Sequence, residues 1–512
     1  MNHNSRTYKS LKNSAVSLSF YAFTFVLSFL SRRIFLQHLG PDVLGLNTTA
    51  SSLLGFLNLA ELGIGTAIAV TLYKPLQEKD NDRIREIVSL QGWFYRRIAW
   101  LIIAGSVLLF CFFPLIFKNS GLPLWYSYAA YSVLLFSSLL GYFFNYKQIV
   151  LSANQQQYLI HFSYTGIQIT KTIVQMMAVS WLPYPFVCWL ALEFLFSILF
   201  TVVLNYQVKK AFPALEPDIR EGKTLKDQYK EVIIKVKQVF VHKISTFALT
   251  QTSPVIIYAY ASLSMVTSYG NYLVLSRGLS SALNAMFNSM GAGVGNLVAE
   301  GDRNRILSVF RELFSSRFLL ISVMSYCLYV LSPSFICLWI GQQYILDNVT
   351  VFLVAALFFI MTSREVVDSF INAYGLFHDV WAPVVEASLN VGCSILFGKF
   401  WGLPGILGGV LVSQVLIILI WKPYFLFRRG FEEPFSVYLG LYLKHVAFFL
   451  IMIVFITWLL QYVPIDPFRG MGHFVLYASI VTLMSILTMG LMLWLGEKGM
   501  RSFVERCLSL LH

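Results

Sequence analysis

The sequence predicts an all-α, polytopic membrane protein of about 14 transmembrane helices. Three observations carry that reading. Only 12% of the 512 residues are charged and 57% are hydrophobic, whereas soluble domains run at about 25% charged. Apolar runs recur from Ser14 to Gly496, each about 20 residues long and able to cross about 30 Å of hydrocarbon. The basic residues collect in the short stretches between these runs.

Read in order against turn and charge signals, helices are expected near 14–31, 43–73, 93–117, 124–150, 159–181 and 185–207. They resume near 240–261, 266–299, 313–340, 346–372, 381–400, 404–427, 437–462 and 472–495. The first run follows a basic start and ends at no small-residue cleavage site, so it is expected to be a permanent anchor rather than a signal peptide. Trp93, Trp125, Tyr126, Trp181 and Tyr184 stand at the ends of runs, where amphipathic rings suit the membrane interface. With the N-terminus inside, about 30 of the 38 Lys and Arg fall on the cytoplasmic side, about 5 outside, and Lys171, Arg277 and Arg364 within spans. The opposite orientation inverts that ratio, and an even helix count returns the C-terminus to the cytoplasm.

The expected domains are an N-terminal six-helix bundle at 1–207, a basic cytoplasmic connector at 208–239, a C-terminal six-helix bundle at 240–427, and two additional helices with a cytoplasmic tail at 428–512. The connector, rich in lysine from Lys209 to Lys237, reads as a solvated linker beside anionic headgroups. The halves echo each other. Asp80-Asn81-Asp82-Arg83-Ile84 follows the second run, and Asp302-Arg303-Asn304-Arg305-Ile306 follows the eighth. An Asp at a helix start satisfies free backbone N–H groups, so capping is the expected shared chemistry, ahead of a metal-binding D-x-D. Two halves that both begin on the cytoplasmic side are parallel repeats.

Several function classes are excluded. The net charge of +13 is explained by the loops without nucleic acid. Cys111, Cys188, Cys327, Cys337, Cys393 and Cys507 lack paired spacing, so neither a disulfide framework nor a metal site is expected. His161 and His242 have no acids at zinc-ligand spacing. No Walker loop, HExxH or GxSxG is present. No cofactor is expected, and the chain reads as a carrier and not an enzyme.

Phe35-Leu36-Gln37-His38-Leu39-Gly40, Leu44-Gly45-Leu46-Asn47 and the run from Leu59 through Glu61, Gly63 and Gly65 to Ala67 resemble the start of bacterial polysaccharide flippases of the Wzx type. These belong to the multidrug, oligosaccharidyl-lipid and polysaccharide exporter superfamily. Pro383, Glu386, Asn390, Ser394, Gly402, Gly405 and Gly409 match a looser pattern of the same group. The resemblance implies two six-helix bundles around a central cavity, with the last two helices outside. It also implies export, in the bacterial inner membrane, of an undecaprenyl-diphosphate-linked repeat unit of O-antigen, capsule or exopolysaccharide. Polysaccharide polymerase and chain-length machinery are the implied partners, together with membrane lipids.

A lipid-linked glycan needs a hydrophilic path for its hydroxyls and diphosphate. A charge buried at mid-span costs roughly 2.5 to 3.5 kcal/mol on insertion scales, so such a residue faces a cavity or a partner. Arg277, Lys171 and Arg364 are therefore the candidate substrate contacts. Lys171 could equally pair with an acid, and Arg364 stands beside Glu365 and one turn before Asp368. Glu61, Glu193 and Glu386 are candidates for coupling to a proton or sodium gradient, against a structural role. Gly63 and Gly65 weaken a helix and permit close approach, and Gly291 with Gly295 forms a GxxxG suited to close packing or a hinge. Ser245, Thr246, Thr250, Gln251, Thr252 and Ser253 could line a hydroxyl-rich wall before Pro254.

Two other functions compete with the flippase. A cation-coupled multidrug antiporter of the same superfamily would have an acidic cavity. A membrane polysaccharide polymerase or acyltransferase would need a substantial extracytoplasmic loop, and every such loop here is short.

Overall fold

A computed structural model of the chain describes residues 6–61, 64–154, 156–229, 252–287, 290–376, 379 and 381–509. It is all-α and divides into two compact units, Met1–Thr267 and Ser268–His512.

In the first unit the helices are α1 (Arg6–Leu39), α2 (Pro41–Leu57), α3 (Ile64–Glu78), α4 (Asn81–Ile116), α5 (Leu124–Phe143), α6 (Ile149–Ala153), α7 (Gln157–Trp181), α8 (Pro185–Ala211), α9 (Gly222–Gln228) and α10 (252–260). α11 (Leu263–Phe287) begins in this unit and continues into the second. Asp80 caps α4 by accepting from the Arg83 N–H at 3.0 Å. α4 packs on α3 and α5, and α7 packs on α1 and α8. Phe110, Phe113, Tyr128 and Tyr131 interlock between α4 and α5, and Tyr131 meets the Ser106 hydroxyl at 3.0 Å. A Cβ on Gly45 would overlap the Leu263 carbonyl, so that glycine lets α2 lie against the start of α11.

The described part of the connector keeps Lys209, Lys210, Arg220, Lys223 and Lys226 exposed and lays one edge on α4. Ile219–Glu221 and α9 lie along α4. A Cβ on Gly222 would overlap the Trp93 side chain, and one on Gly92 would stand 3.0 Å from Ile219 Cγ1. The Tyr229 hydroxyl donates to the Glu86 carboxylate at 2.7 Å. Burial and that neighbouring carboxylate hold the Tyr229 phenol well above its ordinary pKa.

The second unit continues with α12 (Met290–Glu300), α13 (Arg303–Ile340), α14 (Asn348–Ala373), α15 (Trp381–Gln414), α16 (Lys422–Leu426), α17 (Phe435–Leu460), α18 (Met471–Gly496) and α19 (Lys498–Ser509). Asp302 caps α13 through the Arg305 N–H at 3.2 Å, the same device that Asp80 supplies to α4. α13 is the central helix of this unit. Phe310, Phe370, Phe427 and Phe431 cluster about it. Tyr326 bonds Thr457 of α17 at 2.9 Å, and Cys327 meets Thr482 of α18 at 3.5 Å. α17 and α18 are thus fastened to α13, and their outer faces carry Leu450, Val454, Trp458, Leu483 and Leu487 exposed, as a lipid-solvated surface requires.

The expectation of about 14 spans in two six-helix bundles is corrected. Seven described helices are long and apolar enough to cross a membrane, or eight if the pair Leu124–Phe143 and Asn145–Ala153, bent by 59°, counts as one. The expected runs do not all appear as long, apolar described helices. The expected helix 43–73 divides into α2, of 17 residues, the turn Asn58–Glu61 and α3, of 15, and in the expected helix 266–299 residues 288 and 289 lie outside the described residues. α7 is long but diluted by Gln168, Lys171 and Gln175. Most of the expected helix 240–261 lies outside the described residues.

The stretch Trp381–Phe431 is 51 residues long, about 75 Å as a straight helix, and it is not straight. Gly402 adopts φ 59° and ψ −133°, a conformation open essentially to glycine alone. The chain folds back there. A Cβ on Gly405 would overlap the Phe397 carbonyl and one on Gly409 the Ser394 amide, and the Ser394 hydroxyl donates to the Ile406 carbonyl at 3.0 Å.

Candidate functional site

Lys171 on α7 and Glu193 on α8, expected in separate roles, are each other's partner. Their ammonium and carboxylate stand 2.7 Å apart. The Gln175 amide donates to the other Glu193 oxygen and to the Trp189 carbonyl, each at 3.1 Å. α7 and α8 form an antiparallel pair joined by a short turn, which brings residues 22 apart in sequence face to face. The pair is neutral as a unit.

Arg364 on α14 is also paired. Its Nε donates to Asp368 at 2.7 Å, one helical turn on, and Lys422 reaches the other Asp368 oxygen at 2.7 Å. Glu386, 2% exposed, lies close enough to attract Arg364. Glu193 and Glu386 therefore both stand near cations.

Arg277 differs from them. It lies on α11 and is exposed, and among the described residues no carboxylate pairs with it. Sequence reasoning missed a further cation within an expected span, this one buried. Arg317 on α13 is 3% exposed, and it donates to the Thr362 carbonyl at 3.3 Å and to Asn284 Oδ1 at 3.0 Å. Its guanidinium also sits 5.0 Å from the centre of the Phe287 ring. Its place inside the expected span 313–340 was the signal that could have found it.

Glu61 follows α2 in a short 3₁₀ turn, Asn58–Glu61. Tyr95 of α4 donates to one carboxylate oxygen at 2.7 Å and Tyr142 of α5 to the other at 2.9 Å. Tyr142 also lies 3.1 Å from Asn58 Oδ1, and the Ser138 hydroxyl lies 3.3 Å from that same oxygen. These side chains, with Gln91, Gly141, Tyr146, Gln148 and Ile149, line a cavity of about 280 Å³ within the first unit. Among the described residues no Lys, Arg or His forms an ion pair with Glu61. The partners of Glu61 were not legible, because a tyrosine near the end of an apolar run reads equally as an interfacial ring.

Of the glycines, Gly63 lies outside the described residues. A Cβ on Gly65 would stand 3.4 Å from the Tyr95 hydroxyl, placing that glycine beside the Glu61 clamp. Gly291 lies on α12, and a Cβ on Gly295 would meet nothing within 4 Å. Thr252 and Ser253 are buried, whereas His242, Ser245, Thr246, Thr250 and Gln251 lie outside the described residues. Among the described residues no group of three or more His, Cys, Asp or Glu could hold a metal ion.

No protein-family model matches the chain, and no curated protein does. Solved structures do. The chain is similar to a structure of the Lipid II flippase MurJ in an inward closed conformation, at 14% identity over 95% of this chain and 98% of that one, with a TM-score of 0.65. It is also similar to an inward-facing multidrug resistance MATE family transporter of the MOP superfamily, at 12% identity over 79% of this chain and 94% of that one, with a TM-score of 0.60. The chain has the fold of MOP-superfamily transporters, and it is a polytopic membrane protein.

Proposed function

We propose that this protein carries an undecaprenyl-diphosphate-linked oligosaccharide, a repeat unit of O-antigen, capsule or exopolysaccharide, from the cytoplasmic to the periplasmic leaflet of the bacterial inner membrane by alternating access, with both termini cytoplasmic. The observation that supports it most is Arg277, an exposed guanidinium on α11 with which no carboxylate pairs among the described residues. A planar fork of N–H donors is the group that best fits a diphosphate. Lys171 and Arg364 are secondary contacts in this reading, because each must first leave its acid. The likeness to the fold of a Lipid II flippase supports the same reading. Polysaccharide polymerase and chain-length machinery are the proposed partners downstream.

Coupling to a proton or sodium gradient is assigned to Glu61 ahead of Glu193 and Glu386, because Glu193 is already bonded to Lys171 and Glu386 is buried beside Arg364. The test is deletion of the gene followed by identification of the sugar on any lipid carrier that accumulates. Accumulation reversed by the wild-type gene supports the reading, and an unchanged lipid-linked pool overturns it. A cation-coupled multidrug antiporter is the second reading, favoured by the carboxylate of Glu61, which lines a cavity and has no ion-pairing base among the described residues. Dye efflux lost in Glu61→Gln with surface polysaccharide unchanged would select it.

A further inference from the structure

The second unit ends in a helix that runs across its neighbour. α18 stops at Gly496, and basic side chains take up its last carbonyls: Lys444 donates to the Gly496 oxygen at 2.6 Å and Arg501 to the Trp494 oxygen at 2.7 Å. α19 then crosses α13. A Cβ on Gly499 would overlap the Arg311 carbonyl, and Arg506 pairs with Glu312 at 3.0 Å. Seven helical residues cover about 10 Å, yet Gly499 and Arg506 meet adjacent residues of α13. Met500 is buried and Phe503 and Val504 are half-buried, whereas Lys498, Arg501 and Glu505 are exposed. An amphipathic helix that starts where an apolar span stops, and turns aside, lies in the plane of the membrane interface.

Next to α19, a cavity of about 350 Å³ opens between α12 and α13. Its wall is apolar, with Val294, Leu297, Val309 and Leu313, and its charged groups are Glu300, Arg305 and Arg506. Arg506 sits at the level of Glu312, where α19 crosses. Glu300 and Arg305 flank the start of α13, about 10 Å farther out along the helix. Arg305 engages one Glu300 oxygen at 2.5 Å, and the other has no partner among the described residues. With Glu312 behind Arg506 the charges cancel. A cavity of that kind attracts no net charge, but it presents a cation at the interface and an unengaged carboxylate oxygen beyond it.

We propose that this cavity takes the headgroup of a phospholipid that carries a primary ammonium beyond its phosphodiester. The phosphate accepts from Arg506, whose forked N–H donors match phosphate oxygens, and the ammonium donates to the second Glu300 oxygen. From the bilayer outward such a lipid runs from apolar chain to phosphate to amine, which is the order of Leu313, Arg506 and Glu300 along the cavity. A quaternary ammonium has no N–H to donate, and a phosphoglycerol headgroup has no cation. The site does not depend on what the protein carries.

The full-length protein, purified in detergent, is to be unfolded by heat with added phosphatidylethanolamine, phosphatidylcholine or phosphatidylglycerol of the same acyl chains, and with inorganic phosphate. A ligand of the native state raises the unfolding temperature in a saturable way. Phosphatidylethanolamine is expected to do so at a concentration roughly tenfold lower than the other two lipids, the worth of one charge-assisted hydrogen bond. Glu300→Gln should erase that preference, and because its pair with Arg305 is exposed the variant should fold normally. Lys498→Gln, which removes an exposed charge of α19 outside the cavity, should leave the preference intact. Equal rises with all three lipids overturn the proposal, as does preference for phosphatidylglycerol, which would make this a surface for anions in general. A rise with inorganic phosphate equal to that with lipid also overturns it, because the ligand is then a soluble phosphate. Should Glu300→Gln keep the preference, the ammonium is bound elsewhere and the assignment falls. Native mass spectrometry of the wild type, counting retained phosphatidylethanolamine against phosphatidylcholine, decides by itself if a variant is lost during purification.

Discussion

Lys171 and Glu193 stand 2.7 Å apart across the α7–α8 hairpin, and the Gln175 amide holds the far carboxylate oxygen. A base and an acid that each looked functional in isolation thereby become one neutral unit. Breaking a buried pair by removing one partner typically costs about 3 to 5 kcal/mol, whereas replacing both with apolar groups is often neutral. Lys171→Ala and Glu193→Ala should each lower the unfolding temperature in detergent, while Lys171→Met combined with Glu193→Leu should recover most of the loss. Export retained by the double variant would make the pair structural.

Arg277→Ala should impair display of surface polysaccharide while leaving the amount of protein in the membrane unchanged. Among the described residues no ion pair is lost when the guanidinium is removed, so stability should move by less than about 0.5 kcal/mol. Immunoblotting of membranes beside polysaccharide staining separates the two effects. Normal display at normal expression would remove Arg277 from the transport path.

Gly402→Ala should destabilise the second unit by about 1 to 3 kcal/mol, because a side chain is strained at φ 59° and ψ −133°. Gly409→Leu should do worse, since its Cβ already overlaps the Ser394 amide. Thermal unfolding in detergent checks both. A tolerated Gly409→Leu would mean that the two arms of the Trp381–Phe431 hairpin can separate.

Tyr229→Phe should loosen the connector from α4 by about 1 kcal/mol, the net worth of a typical hydrogen bond, and make it more susceptible to limited proteolysis. The pH dependence follows from the direction of the phenol's shift. Its folded pKa is raised by burial and by Glu86, so its contribution is fully present below the ordinary tyrosine pKa and fades only as pH rises through the higher folded value. Proteolysis of the wild type should therefore be flat through the neutral range. A steep change near neutrality would show that another group holds the connector.

The residues that sequence analysis placed well are those whose chemistry is local. Asp80 and Asp302 cap α4 and α13 as expected, because a cap bonds an N–H three residues away and no distant partner is involved. Glu61 was singled out as an acid in an apolar run, but Asn58, Gln91, Tyr95 and Tyr142 were not assigned to it. They come from three elements, the Asn58–Glu61 turn, α4 and α5, and a helical period says which face a side chain occupies without saying which helix that face meets. Arg317 was passed over for a related reason: its partners Asn284 and Thr362 lie 33 and 45 residues away.

The chain by itself determined that this protein is all-α and solvated by lipid, since the balance of apolar and charged residues sets the solvent and a membrane interior requires backbone groups to be bonded within helices. Tertiary structure alone decided how many long spans those runs become, which intramembrane charges cancel, and that the connector lies against α4. Each of those outcomes depends on contacts between residues far apart in sequence, whose pairing is set by packing rather than by local hydropathy.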